Sequence, residues 1–229
     1  MDLTNFINKP PTLFIKEGLV GLLNFKPMSF EFFLNQINIG DVSKEQIRII
    51  LAEAKRVPAA LGGYHGDYEG GLYDHILLVT NLVFQIRKNA NFLKKYVNWS
   101  RKEHVDISEN YNDIDLPKAL QTAIYHDFGK VSYYTFKLDL QHRKIYTNKV
   151  QRQETSLEIT EKFNYVGYDS HVDECIAVLK RYNLPFDDEI LQAIIFHHGK
   201  WSKYKPFTPT KLSELIHVAD MIASQAYGI

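Results

Sequence analysis

Within five residues, His126, Asp127 and Lys130 bring together an imidazole, a carboxylate and an ammonium group. The apolar run Ala123-Ile124-Tyr125 leads into them, and Phe128-Gly129 separates the pair from the lysine. An imidazole beside a carboxylate is a donor set for a divalent ion, and a nearby lysine can neutralise an anionic substrate. The stretch reads as the end of a helix that begins at Leu116. Neighbours on a helix point about 100° apart, so both can reach one ion only if it lies beside the helix end. Gly129 is expected to stop the helix in the left-handed conformation, with Lys130 swinging back over the same mouth. His-Asp alone is a common dipeptide, and the rest of the chain decides what it is for.

Four further groups match it in kind. His75 falls in the first turn of a helix expected from Leu72 to about Val97, in register with the apolar stripe Ile76, Val79, Val83, Ile86. His197 and His198 end a helix at about 187–198, and Asp220 lies inside a last helix at about 210–226. Between Ala219 and Met221, an ionised carboxylate is costly unless it is paired or metal-bound. With no paired cysteines, such a set suits Mn²⁺, Fe²⁺, Co²⁺, Ni²⁺ or Zn²⁺. Mg²⁺ asks for more oxygen ligands. His217, one turn before Asp220, reads equally as a group orienting it and as a structural residue. His65 is set outside the constellation, His104 is read as solvated, and His142 and His171 as surface residues.

The elements that must position these groups are mainly helical. Residues 1–57 read as a helical cap, with a capping box at Ser43-Lys44-Glu45-Gln46 opening a helix through about Arg56. Residues 59–72 form a glycine-rich loop without the setting or the Lys-Ser/Thr ending of a phosphate-binding loop. After Lys130, residues 133–138 and 144–147 alternate as a small β-hairpin would, and helices follow at about 154–165, 169–182, 187–198 and 210–226. With no repeat and no compositional break, one all-α domain over 1–229 is expected, its core at 58–224. Lys+Arg and Asp+Glu both number 27, so no global field draws the chain to nucleic acid or anionic membrane. The single cysteine, Cys175, is expected in the core and fits a reducing compartment. With no signal-peptide pattern at Met1-Asp2-Leu3-Thr4 and no long apolar run, the reading is cytoplasmic, with no membrane partner.

At this point the chain resembles the HD-domain superfamily of metal-dependent phosphohydrolases. The resemblance is carried by His75, His126-Asp127 and Asp220 in that order, over most of 58–224. It extends to Gly70-Gly71-Leu72-Tyr73-Asp74-His75, His126-Asp127-Phe128-Gly129-Lys130 and His197-His198-Gly199-Lys200. These look like the segments of HD-class 3′→5′ exoribonucleases and helicase-associated HD proteins. The resemblance implies an HD helical bundle in which His75, His126, Asp127 and Asp220 hold a metal. It implies that Asp127 also orients or deprotonates the attacking water and that Lys130 meets a phosphate oxygen. His197 and His198 would bind phosphate, protonate the leaving group or hold a second, weaker metal. Lys200, Trp201 and Arg152 are the candidates for holding substrate, the aromatic by stacking on a base.

Two departures qualify it. Two-metal members usually carry another histidine between the His-Asp and His-His pairs, and Gln153 stands where it is expected. One ion rather than two is therefore anticipated. The exoribonucleases also carry an oligonucleotide-binding domain that has no counterpart pattern here. The expected function is hydrolysis of a phosphate ester in a nucleotide or short phosphodiester. The alternatives are a 3′→5′ exonuclease on single-stranded RNA or DNA and a non-catalytic nucleotide-sensing module. Two-iron oxygenase chemistry is disfavoured by the missing middle histidine.

Overall fold

The computed structural model describes Leu23 and residues 25–89, 91–93, 110–138, 144–148 and 154–229. Its helices are α1 (Phe30–Leu34), α2 (Asp41–Ala54), α3 (Gly71–Lys88), α4 (Leu116–Tyr125), α5 (Lys130–Tyr133), α6 (Glu154–Phe163), α7 (Ser170–Arg181), α8 (Asp188–Phe196) and α9 (Lys211–Met221). A 3₁₀ turn at Gly199–Trp201 follows α8, and α9 runs on into a π-helical turn at Ile222–Ala226. Strands β1 (Tyr134–Leu138) and β2 (Lys144–Asn148) form one antiparallel hairpin, with Tyr134 opposite Asn148 and Leu138 opposite Lys144. The fold is a largely helical bundle with the small hairpin that the alternation at 133–147 predicts.

Helix α3 is the axis of the bundle. Every residue from Gly71 to Phe84 is buried, which is the signature of a helix packed on all sides rather than on one stripe. It packs against α4, α9 and α2, and one continuous apolar cluster extends from Leu23 to Ile229. Its interior polar groups are matched: Thr80 Oγ1 donates to the Ile76 carbonyl. Asn81 accepts from Met28 N–H and donates to the Met28 carbonyl. That amide pair stitches the segment before α1 to the central helix, so at least this part of the cap shares the core.

Several boundaries differ from expectation. Helix α3 ends at Lys88, because Asn89 turns to extended backbone once the polar run Arg87-Lys88-Asn89 leaves nothing to bury. Helix α2 opens at Asp41 with Gly40 as its cap, and Lys44 N–H already donates to the Gly40 carbonyl. Ser43 thus lies inside the first turn and is no cap. Gly129 is not left-handed: its backbone is right-handed helical. It is required for a different reason. A Cβ there would lie 2.2 Å from the His171 carbonyl oxygen and 2.4 Å from the Cys175 nitrogen. The missing side chain lets the segment after Asp127 press directly onto α7. Gly129→Ala is therefore expected to cost about 1–3 kcal/mol of stability by overpacking, read as a fall in denaturation midpoint. An unchanged midpoint would remove this contact from the account. Residues His104, His142, Arg152 and Gln153, with the roles assigned to them, lie outside the described residues.

Candidate metal centre

The site is built from helix ends. Asp115 caps α4 by accepting from Lys118 N–H, and Pro117 occupies the first turn. The apolar face of α4 then carries the chain into the core, where His126 closes the helix and Asp127 follows. His75 arrives from the first turn of α3 and Asp220 from the last turn of α9. His75 Nε2 lies 3.1 Å from Asp220 Oδ1 and 3.4 Å from Asp127 Oδ2. His126 Nε2 is 3.4 Å from His75 Nε2 and 3.6 Å from Asp127 Oδ2. His75, His126, Asp127 and Asp220, the set implied by the family resemblance, are brought together and buried.

A second cluster faces the other oxygen of the same carboxylate. His171 Nε2 lies 3.7 Å and His197 Nε2 3.8 Å from Asp127 Oδ1, and the two nitrogens are 3.5 Å apart. His198 completes the group, its ring 4.0 Å from His197 and 4.6 Å from His171 between centroids. His171 is thus no surface residue. It lies at the start of α7, against Gly129, and in sequence it falls between the His-Asp and His-His pairs. In sequence, Asp169-Ser170-His171 places a carboxylate and an imidazole two apart at a helix start, a pattern that a solvated helix start shows equally.

Each ring is fixed through its other nitrogen. Nδ1 of His126 faces the Ala123 carbonyl at 2.7 Å, that of His197 the Ile194 carbonyl at 2.6 Å, and that of His75 the Ile229 backbone oxygen at 2.7 Å. Nδ1 of His171 lies 3.0 Å from Asp169 Oδ1. These oxygens can only accept, so a neutral ring carries its proton on Nδ1 and presents a lone pair at Nε2. Lone pairs then face lone pairs and carboxylate oxygens across both clusters, an arrangement a cation relieves. Asp127 Oδ1 is buried without a hydrogen-bond partner. The donor set therefore fits one or two divalent transition ions, with His75, His126 and Asp127 as one group able to hold a metal and His171, His197 and His198 as the other.

The electrostatics agree with that geometry. Burial pushes the Asp127 carboxyl up, but Lys130 and the surrounding histidines outweigh it and hold it well below the usual range. Asp220 is likewise held low against burial by the imidazoles around it, His75 first among them. Burial lowers His126, takes His197 down to about 4, and puts His198 well below its ordinary value with help from His197 and His171. Such rings are neutral near pH 7, the state a metal requires.

Lys130 is only 8% exposed, and its Nζ donates to Asp127 Oδ2 at 2.7 Å. His217 does not orient Asp220 by a hydrogen bond; its Nδ1 faces the His197 carbonyl oxygen at 2.7 Å. The left-handed Gly199 allows that approach, since a Cβ there would lie 2.6 Å from the His217 ring nitrogen. Trp201 is 59% exposed with its ring 5.9 Å from His217, and Lys200 beside it is exposed. His65 also reaches the centre: its ring sits 4.9 Å from His75, with Nε2 buried and unpartnered. Cys175 is a core residue, its Sγ donating to the Tyr125 carbonyl. Among the described residues no helix is long and apolar enough to cross a membrane.

A model of the HD domain matches residues 72–224, more than half of the chain. No curated protein matches, and no solved structure does.

Proposed function

The chain belongs to the HD-domain family, and from that premise we propose that it is a metal-dependent phosphohydrolase acting on a nucleotide or short phosphodiester. The observation that carries the reading is Asp127, whose two carboxylate oxygens face two separate sets of imidazole nitrogens. His75, His126, Asp127 and Asp220 would hold one ion. The single-ion expectation rested on Gln153, and with His171 in place we read a second site at His171, His197 and His198 that shares Asp127. Bound divalent metal supplies a lowered water pKa and charge withdrawal from a phosphoryl oxygen.

The remaining work falls to the chain's own side chains. Asp127, unable to donate while ionised, orients the attacking water and can accept its proton. Lys130 offers a compact positive charge to a non-bridging phosphate oxygen, which becomes an alternative partner to Asp127. His198, the less buried of the adjacent pair, is placed to meet the leaving group or a phosphate oxygen. Lys200 and Trp201 lie on the exposed turn beyond it, where an indole can stack on a base. The single buried thiol of Cys175 supports the cytoplasmic reading, and the shared apolar cluster supports a single domain.

The test uses protein reconstituted with Mn²⁺, Fe²⁺, Co²⁺, Ni²⁺ or Zn²⁺ and phosphate release from mononucleotides, dinucleotides and a single strand of about 10–20 nucleotides. Hydrolysis of the short substrates is expected, with a shallow salt dependence because few phosphates are neutralised. Lys130→Ala should cut turnover by about 10²-fold while leaving metal content nearly unchanged. If that variant simply lost its metal, Lys130 would not belong to the substrate side. Processive shortening of the long strand with a steep salt slope would favour the exonuclease, and binding without turnover the sensing module.

A further inference from the structure

Each metal-facing histidine needs an oxygen at Nδ1, and its place in its helix decides where that oxygen comes from. His126 and His197 stand at helix C-termini and use the carbonyl three residues back in their own helices, Ala123 and Ile194. His171 is the second residue of α7, so no helical carbonyl lies three residues behind it. An oxygen from outside the helix must serve instead: for His75 it is the Ile229 backbone oxygen, and for His171 it is the Asp169 side chain.

Asp169 occupies the N-cap of α7, where an aspartate ordinarily accepts from a first-turn N–H and contributes about 1 kcal/mol. It makes no such bond. The carboxylate is turned inward instead and is 4% exposed. Oδ1 accepts from His171 Nδ1 at 3.0 Å, and Oδ2 faces His198 Nδ1 and Lys203 Nζ, each at 3.9 Å. A buried carboxylate that forgoes a cap is compensated by the cations and donors it meets.

We infer that Asp169 is the positioning residue of the second histidine cluster, fixing His171 with Nε2 toward Asp127 and steadying His198 from behind. The inference rests on reading that cluster as a metal site. An oxygen behind a ligating imidazole both sets the ring's tautomer and raises its basicity, and its loss typically weakens metal binding about 10–100-fold.

The experiment compares the full chain with Asp169→Ala and Asp169→Asn. In chelator-treated protein, imidazole ¹⁵N spectra report the His171 tautomer. The Nδ1–H form is expected in wild type and in Asp169→Asn, whose amide oxygen still accepts, and its loss in Asp169→Ala. In a Mn²⁺ titration the second binding step should weaken about 10–100-fold in Asp169→Ala and by less in Asp169→Asn, with the first step unchanged. A wild-type tautomer together with an unaltered second step in Asp169→Ala overturns the inference. If that variant does not fold, equal second-step affinities in wild type and Asp169→Asn overturn it. If wild type itself takes up no second Mn²⁺, the metal reading of the cluster fails, and the tautomer alone decides whether Asp169 positions His171.

Discussion

Replacing Asp127 with asparagine is expected to empty both histidine clusters of tightly held metal and to cut phosphate-ester hydrolysis by more than about 10³-fold. Its two carboxylate oxygens face the two groups separately: Oδ2 lies toward His75 and His126, Oδ1 toward His171 and His197. The amide keeps the shape but removes the charge, and it puts an NH₂ group where one of two acceptors stood. The change also leaves the Lys130 ammonium buried opposite a neutral group, a loss of about 3–5 kcal/mol when one partner of a buried pair is removed. Thermal melts must therefore accompany elemental analysis, so that an unfolded variant is not mistaken for an empty one. A folded Asp127→Asn protein with wild-type metal content would take Asp127 out of the ligand set and the shared-carboxylate account with it. Asp220→Asn makes the useful contrast. Asp220 lies on the first cluster's side, its Oδ1 3.1 Å from His75 Nε2, so metal at the His171 cluster should persist.

What could be read from the chain, and what could not, follows from the range of the forces involved. His75, His126, Asp127 and Asp220 were legible because each breaks a local rule: a titratable group on a buried face or at the apolar end of a helix. The hairpin was legible from alternation, and the helices from α6 to α9 from their breaks at Pro185 and Pro206. His171 was hidden because its surroundings in sequence, between Asp169 and Asp173, look solvated. Its burial comes from Gly129, forty-two residues earlier, where a Cβ would lie 2.2 Å from the His171 carbonyl oxygen and hold α7 away. The role of Gly129 itself was misassigned for the same reason. A glycine after a helix suggests a left-handed stop locally, whereas here the constraint is an approach between distant segments. His75 illustrates the limit again, since its orienting oxygen belongs to Ile229, at a separation of 154 residues. Residue type and the family motif find the candidate ligands, and only packing finds what aims them.

The metal-free protein should lose stability steeply as pH falls from about 6.5 toward about 4, a loss that begins well before ordinary carboxylates protonate. His197 has an unfolded pKa near 6.5 and is brought to about 4 by burial. His65 is brought to about 3, also chiefly by burial, and burial likewise lowers His126, His198 and His217. A base whose folded pKa is depressed binds its proton only after unfolding in that window. Its contribution is complete above the unfolded pKa and is lost as pH falls toward the folded one. For His197 alone the 2.5-unit gap corresponds to about 3 kcal/mol. Asp173 works in the opposite direction. Burial raises it to about 7, so its folded form holds a proton between about 4 and 7 and its contribution fades as pH rises. Five lowered histidines against one raised carboxyl leave the unfolded chain binding more protons, so stability must climb with pH through the window. Asp127 and Asp220, held well below their usual range, lose their contributions only below about pH 4. Urea midpoints between pH 7 and pH 4.5 in the presence of a chelator measure the slope, at about 1.4 kcal/mol per pH unit for each net proton. His197→Gln should flatten it by close to one proton, and Asp173→Asn should steepen it. A wild-type slope that is flat or reversed would mean that these rings are already charged in the folded protein, and a site of charged imidazoles could not be the metal centre described above.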